Sequence, residues 1–300
     1  MKFEPNKILC FGEVLWDQLP SGAKPGGAPL NVAIHLQRFN MQAVLASKVG
    51  NDAEGRRLKE FMVQSALTDA FIQTDDELPT SQVLVHLDKN HQARYEICEP
   101  VAWDRMEPLS QLLTEAASCG IIVFGSLASR NPKTRNTLLE ILNGPQLKVL
   151  DINLRPPYHE RKIVEPLLRK AHLVKLNSDE LQTIALWNGY DSAEEKTQMQ
   201  LLTEQFGWEM AVVTRGEKGA LVYDGHRFLE HEGFKVRAID TVGAGDAFLA
   251  AFLAGYLNEK PLEQALSMAC AAGAFVATQP GATPEYCLSE ILGISETQKK

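Results

Sequence analysis

The strongest constraint on this chain is a rhythm in which short apolar runs alternate with longer stretches of helical periodicity. KILCFGEVLWD reads as a first strand, apolar at consecutive positions at its start, the mark of a strand buried on both faces. PLNVAIHLQRF then reads as a helix, QAVLASKVG as a strand and DAEGRRLKEFMVQSA as a helix. The rhythm resumes after residue 105 with PLSQLLTEAAS and CGIIVFGS, PKTRNTLLEILN and LKVLDIN, and IVEPLLRKA and HLVKLN. Repeats of this kind predict a mostly parallel sheet covered by helices on both faces, an α/β fold. The tail from Asp246 to about Leu292 reads as helix upon helix.

One segment breaks the rhythm. SQVLVHLDKNHQARYEIC, residues 81–98, alternates apolar and polar residues about the turn-prone DKNH, as an antiparallel hairpin with one wet face does. In an α/β chain such a piece is either loose decoration or a lid over a site.

Composition excludes more than it assigns. A length of 300 residues suits one large α/β domain or two smaller ones. A net charge of −8 argues against a broad nucleic-acid surface, which needs clustered Lys and Arg. The five cysteines are scattered and form no CxxC pair, so neither a zinc ribbon nor a disulfide framework is indicated, and reduced thiols in a cytoplasmic chain are expected. No signal peptide is visible at the N-terminus. The longest apolar run, AFLAAFLAGYL, is short of the roughly 18–20 residues that cross a bilayer, and a buried helix fits it better.

The chemistry concentrates at glycines. FKVRAI reads as a strand ahead of Asp240, and in DTVGAGDAF Gly243 and Gly245 open a helix although glycine is a poor helix former, with Asp246 following at once. A helix N-terminus at the carboxyl end of a parallel strand is an anion site, and glycine lets a ligand approach the backbone closely. Asp246 there is either a dipole-complementing cap or a base held beside an anion. No GxxxxGK[ST] run is present, and GAGDAF lacks the third glycine and the first-strand position of a dinucleotide fold. In KPGGAPLNVAIHL, Gly27 precedes a helix and Asn31 falls in its first turn; with Asp17 at the end of the first strand they offer directional partners for a small polyhydroxylated ligand. VLDINLRPP ends a strand with Asp151, Asn153 and Arg155. VKLNSDELQTI places Asn177 at a strand end and Glu180 in the next helix turn, which reads either as ordinary capping or as an acidic start holding hydrated Mg²⁺. MAVVTRGEKGALVY reads strand, turn, strand: a bare hairpin or one wall of a nucleotide site.

In order, GGAPLNVA, DINLRPP, KLNSDE, VVTRGEKGA and DTVGAGDAF resemble the ribokinase-like carbohydrate kinases of the PfkB family, over essentially the whole chain, with GGAP–N and DINLRPP similar to the fructokinase branch. The resemblance implies a three-layer sandwich, a mostly parallel sheet flanked by helices, as a single domain over 1–300 with a small β lid from about residues 10–25 and 80–100. It implies Asp246 as base and the amides of Gly243, Ala244 and Gly245 as anion hole. Asp17, Gly27 and Asn31, with Arg155, match the sugar side. Thr214, Gly216 and Gly281 match the nucleotide side, and Asn177 and Glu180 a Mg²⁺ element acting largely through water. Asp240 matches a K⁺ ligand, but Val242 stands where many relatives have Thr, which leaves activation by K⁺ open. The implied activity is transfer of the γ-phosphoryl group of ATP to a primary hydroxyl of a small sugar, fructose first. The alternatives are ribose, 2-keto-3-deoxygluconate or a nucleoside as substrate, or an idle sugar- or nucleotide-binding protein. A homodimer through the lid is also implied, with neither nucleic acid nor membrane as partner.

Overall fold

The structure, a computed structural model, describes residues 3–19, 22–87 and 93–297. The strands, in chain order, are β1 (Glu4–Phe11), β2 (Leu15–Leu19), β3 (Gly22–Gly26), β4 (Ala43–Gly50), β5 (Ile72–Asp75), β6 (Ser81–Leu87), β7 (Ala93–Ile97), β8 (Cys119–Gly125), β9 (Leu147–Asp151), β10 (Leu173–Asn177), β11 (Met210–Thr214), β12 (Ala220–Tyr223) and β13 (Phe228–His231). Among the described residues, nine of them form one sheet in the order β13-β12-β11-β10-β9-β8-β1-β4-β5. It is parallel from β5 to β11, and β12 and β13 add an antiparallel edge.

The helices are α1 (Ala28–Arg38), α2 (Ala53–Gln64), α3 (Ser110–Ser118), α4 (Pro132–Ile141), α5 (Arg161–Leu168), α6 (Ser178–Trp187), α7 (Glu195–Phe206), α8 (Ala244–Leu257), α9 (Leu262–Ala277) and α10 (Leu288–Thr297). Alternation along each strand divides them between the two faces. Ile8, Cys10, Ile121 and Val123 pack with Leu30 and Leu36 of α1, Leu58 of α2, and the apolar body of α8 and α9. Leu9, Phe11, Ile122 and Phe124 point the other way, into a core shared with α3 to α7. Both faces are dry, which is why these strands are apolar at consecutive positions. The result is the three-layer α/β sandwich expected. AFLAAFLAGYL lies in α8, buried from Ala247 to Gly255; among the described residues no helix is long and apolar enough to cross a membrane.

Two local expectations need correction. KILCFGEVLWD is not one strand. At Gly12 (φ 152°) the chain leaves β1, and a β-carbon there would lie 2.7 Å from Cγ of Pro29. It then enters β2, which belongs to a second sheet of order β3-β2-β6-β7. The hairpin over 81–98 is present as β6 and β7, antiparallel, with β2 joined to β6 in parallel; its DKNH centre lies outside the described residues. Asp17 therefore sits in the small sheet and not at the end of the first strand of the main one. The second correction concerns FKVRAI before Asp240, which is not a strand. The amides of Ile239 and Asp240 donate to the Ala277 carbonyl at the end of α9, and Val236 and Ile239 are exposed.

Parallel register lines up the strand ends. Gly125 is level with Asp151, Asp151 with Lys175, and Asn177 with Thr214. The loops that follow share one edge of the sheet, where α/β proteins place their ligands.

Candidate active site

The turn into α8 is set by Asp240 and Gly243. Asp240 accepts from the Val242 amide through Oδ1 and from the Gly281 amide through Oδ2, both at 3.0 Å. Gly243, the N-cap, has φ 79°, and a β-carbon on it would stand 2.4 Å from the Ala282 carbonyl oxygen. Its glycine identity is thus required by the protein's own backbone, both in conformation and in space. Of the three amides expected to face an anion, that of Ala244 donates to the Thr241 carbonyl at 3.2 Å. Gly245 and Asp246 follow in the first turn, where N–H groups have no acceptor within the helix. A β-carbon on Gly245 would meet Nζ of Lys175 at 3.2 Å, so this glycine lets a cation approach the helix start.

Asp246 joins two halves of the chain. Its Oδ2 accepts from Nδ2 of Asn31 at 2.8 Å. Burial, then the neighbouring charge of Asp151, push its carboxyl up to about 6, against the pull of Lys175, the Asn31 bond and Arg155. Lys175, in the middle of β10, holds both oxygens of Asp151 at 2.8 and 2.9 Å, and the pair is buried. Burial alone would lower the Lys175 ammonium, but Asp151 more than offsets it and the pKa is raised. The site therefore carries a fixed positive charge beneath the first turn of α8.

Glu13, just past the Gly12 break, is buried with Oε2 unpartnered. Burial is the main cause that raises its carboxyl to about 7, with Arg155 opposing and Asp246 adding. Asp17 on β2 is likewise raised by burial and opposed by Arg155. The exposed Arg155 thus lends its positive charge to Glu13, Asp17 and Asp246 together. The two glycines before α1 make room for different neighbours: a β-carbon on Gly26 would fall 2.4 Å from Oδ2 of Asp17, and one on Gly27 (φ 112°) 2.4 Å from the Glu13 carbonyl oxygen. Of the expected sugar-side set, Asn31 bonds Asp246 and Arg155 acts by charge on both Asp246 and Asp17, while Gly27 packs on Glu13.

A separate cavity of about 830 Å³ is lined by Asn177, Thr214, Arg215, Gly216, Lys218 and Glu195, among others. Thr214 closes β11 beside Asn177, and at Gly216 (φ 59°) a β-carbon would meet nothing within 4 Å. Gly281 (φ 85°) is not among the residues lining that cavity; it is tied to Asp240, and a β-carbon there would come 3.5 Å from Nζ of Lys24 on β3. The small sheet therefore reaches the loop after α9.

Asn177 and Glu180 form a capping box at the start of α6. Asn177 Oδ1 accepts from the Glu180 amide, and Glu180 accepts from the amides of Leu154 through Oε1 and Asn177 through Oε2, all at 2.8 Å. With both oxygens so engaged and the residue buried, Glu180 does not fit as a direct Mg²⁺ ligand. Among the described residues there is no cluster of three or more His, Cys, Asp or Glu able to hold a metal.

Sequence reading passed over Glu13, Lys24, His35 and Lys175. A signal existed for one of them, since Lys175 is a charge inside the otherwise apolar run HLVKLN. His35 is buried in α1, its Nε2 2.9 Å from the Ala282 carbonyl oxygen and its Nδ1 2.8 Å from the Tyr286 hydroxyl.

Residues 8–287 match the family model described as pfkB family carbohydrate kinase. A fructokinase of Salmonella typhimurium is 29% identical over 297 residues, covering 92% of this chain and 94% of its own. The ATP-bound fructokinase of Xylella fastidiosa superposes with a TM-score of 0.87 at 23% identity, over 99% of this chain and all of that one. A double mutant of the Vibrio cholerae O395 fructokinase, in its form with fructose, ADP and potassium ion bound, gives a TM-score of 0.82 at 25% identity, over 99% of this chain and all of that one. The chain belongs to the pfkB family of carbohydrate kinases.

Proposed function

We propose that this carbohydrate kinase transfers the γ-phosphoryl group of ATP to a primary hydroxyl of fructose, with Asp246 as the base. The observation that carries the reading is the 2.8 Å bond from Asn31 to Asp246 in the first turn of α8, with the Lys175 ammonium beneath that turn. A sugar hydroxyl beside Asp246 gives its proton to the free carboxylate oxygen. The hydroxyl oxygen bonds to the γ-phosphorus while the bond to the ADP oxygen breaks in line with it. Charge on the transferring group is met by the first-turn amides of α8 and by Lys175. Phosphoryl transfer asks for positioning and electrostatic stabilisation of this kind more than for covalent help.

A carboxyl near 6 suits a base that works at neutral pH, being mostly ionised there yet a better proton acceptor than an ordinary Asp. Asp17, Asn31 and Arg155 orient the sugar, and the sheet of β2, β3, β6 and β7 closes over it to keep water from the nucleotide. The cavity by Thr214 and Gly216 takes the nucleotide, and the family resemblance assigns Gly281 to the nucleotide side as well. Mg²⁺ bound with the nucleotide would take most of its ligands from phosphate oxygens and water, with Asn177 and Glu180 acting on it through water, and would supply charge neutralisation at the phosphates. K⁺ beside Asp240 belongs to the same reading, supported by the potassium ion in the Vibrio relative. Fructose is favoured because relatives spanning nearly the whole chain carry the name fructokinase. The reading also includes a cytoplasmic setting and pairing of two copies through the small sheet.

The test is ADP release from Mg-ATP with fructose, glucose, mannose, ribose, 2-keto-3-deoxygluconate and adenosine. Preference for fructose is expected. Preference for another member replaces the substrate, and silence across the panel with ATP still bound removes fructose and leaves an untested substrate or an idle binder.

A further inference from the structure

Asn31, His35 and Arg38 lie at i, i+4 and i+7 on α1 and so form one stripe of the helix. Asn31 bonds Asp246. His35 bonds Ala282 and Tyr286, and Arg38 donates to the carbonyls of Pro284 at 2.7 Å and Thr283 at 3.1 Å. One helix face therefore touches the base and four residues of the segment that follows α9, Ala282, Thr283, Pro284 and Tyr286.

The chemistry of His35 is determined by its partners. A carbonyl oxygen only accepts, so Nε2 carries the proton and donates to Ala282; Nδ1 then accepts from the Tyr286 hydroxyl. Burial holds the imidazole neutral, its pKa lowered to about 4, and its ring stacks on that of Tyr286 with centroids 5.7 Å apart. The Ala282 carbonyl oxygen that His35 holds is the atom against which Gly243 is packed, with no room for a β-carbon between them. On its other side the same segment is tied by the Gly281 amide to Asp240.

We propose that His35 is a positioning residue for phosphoryl transfer: by seating the Ala282 carbonyl against Gly243 it sets the turn that opens α8, and it couples the helix bearing Asn31 to the loop that carries Gly281. The inference rests on the function proposed above. Replacing a buried, doubly hydrogen-bonded histidine by an apolar ring lowers stability in either case, but only for a positioning histidine does the loss appear in nucleotide kinetics and binding out of proportion to the sugar.

The experiment compares wild type with His35→Phe, His35→Gln and Tyr286→Phe by steady-state kinetics, by calorimetric titration with Mg-ADP and with fructose alone, and by thermal melting. Phe keeps the ring and loses both polar contacts; Gln restores a donor near Nε2. In folded His35→Phe, kcat/KM for ATP falls about 10- to 100-fold and Mg-ADP binding weakens, as for a small displacement of reacting groups. Fructose affinity stays within about twofold, and His35→Gln recovers most of the loss. Unchanged kcat/KM for ATP and unchanged Mg-ADP affinity in His35→Phe overturn the proposal. So does equal damage to fructose and nucleotide binding. If His35→Phe does not fold, Tyr286→Phe decides: a drop of about threefold or more in kcat/KM for ATP supports the coupling, and none overturns it. Wild-type protein inert toward every sugar defeats the function proposed above, while the Mg-ADP titration still reads the effect of His35.

Discussion

Asn31 Nδ2 stands 2.8 Å from Asp246 Oδ2 across 215 residues of sequence, and the bond ties the first turn of α1 to the first turn of α8. It favours the ionised carboxylate and opposes the burial and the Asp151 charge that push Asp246 up to about 6.

Replacing Asn31 by Ala removes a donor to the ionised form and one partner of the sugar. The acidic limb of kcat/KM against pH is expected to move upward from about 6, and the sugar KM to rise far more than the ATP KM. A pH profile that does not move, with both KM values raised alike, would take Asn31 out of this role.

Asp246→Asn is expected to lose about 10²–10⁴ in turnover while keeping sugar and ATP binding. The same variant has a stability signature of definite sign. The folded-state pKa of Asp246 lies above its ordinary value of 3.8, so folding favours the protonated form. That contribution is complete below about pH 4 and is lost as pH rises through about 6. At pH 8 Asp246→Asn is therefore more stable than wild type by up to about 3 kcal/mol, and at pH 4 most of the gain has gone. Denaturant titrations at the two pH values check it; a variant less stable than wild type at pH 8 contradicts it.

The layered fold is legible because burial on both faces leaves a plain mark, consecutive apolar residues, in β1, β8 and β9. The break at Gly12 is not, since Val14, Leu15 and Trp16 continue an apolar run although they already belong to the crossing and the small sheet. FKVRAI alternates like a strand, but its final amides find the Ala277 carbonyl and not a neighbouring strand. In the site, Gly243 and Gly245 are conspicuous in sequence, but the reasons are not. One faces the Ala282 backbone and the other the Lys175 ammonium, and both neighbours are remote in sequence. Glu13 and His35 carry no local signal at all. Their surroundings arise only when α1, the loop after α9 and the strand ends are brought together.

Gly243 and Gly216 both have positive φ but differ in the space around them. Gly216→Ala meets only the conformational cost, about 1–2 kcal/mol, with a modest rise in ATP KM. Gly243→Ala meets that cost and also drives a methyl group into Ala282, so the turn must shift. It is expected to destabilise by more than Gly216→Ala and to lower kcat at least tenfold, as loss of an oxyanion donor does. Urea denaturation and kcat for the two variants decide; equal effects would mean that the Ala282 contact does not govern the turn.

The buried Lys175–Asp151 pair separates stability from catalysis. Lys175→Met leaves the Asp151 carboxylate unpaired beside Glu180 and Asp246, and about 3–5 kcal/mol of stability is expected to go. The acidic limb of the pH profile rises at the same time, because a positive charge that lowers Asp246 is gone while Asp151, which raises it, remains. The double variant Lys175→Met with Asp151→Leu removes both charges, so stability returns close to wild type and the acidic limb returns toward 6. Turnover does not return, because the cation beneath the first turn of α8 is still missing and the charge of the transferring phosphoryl group is left to the helix amides alone. Chemical denaturation, the pH profile and kcat of the single and double variants measure the three effects on the same proteins. A double variant with wild-type kcat would show that Lys175 serves only to neutralise Asp151, and the fixed charge beneath α8 would then have no part in the transfer.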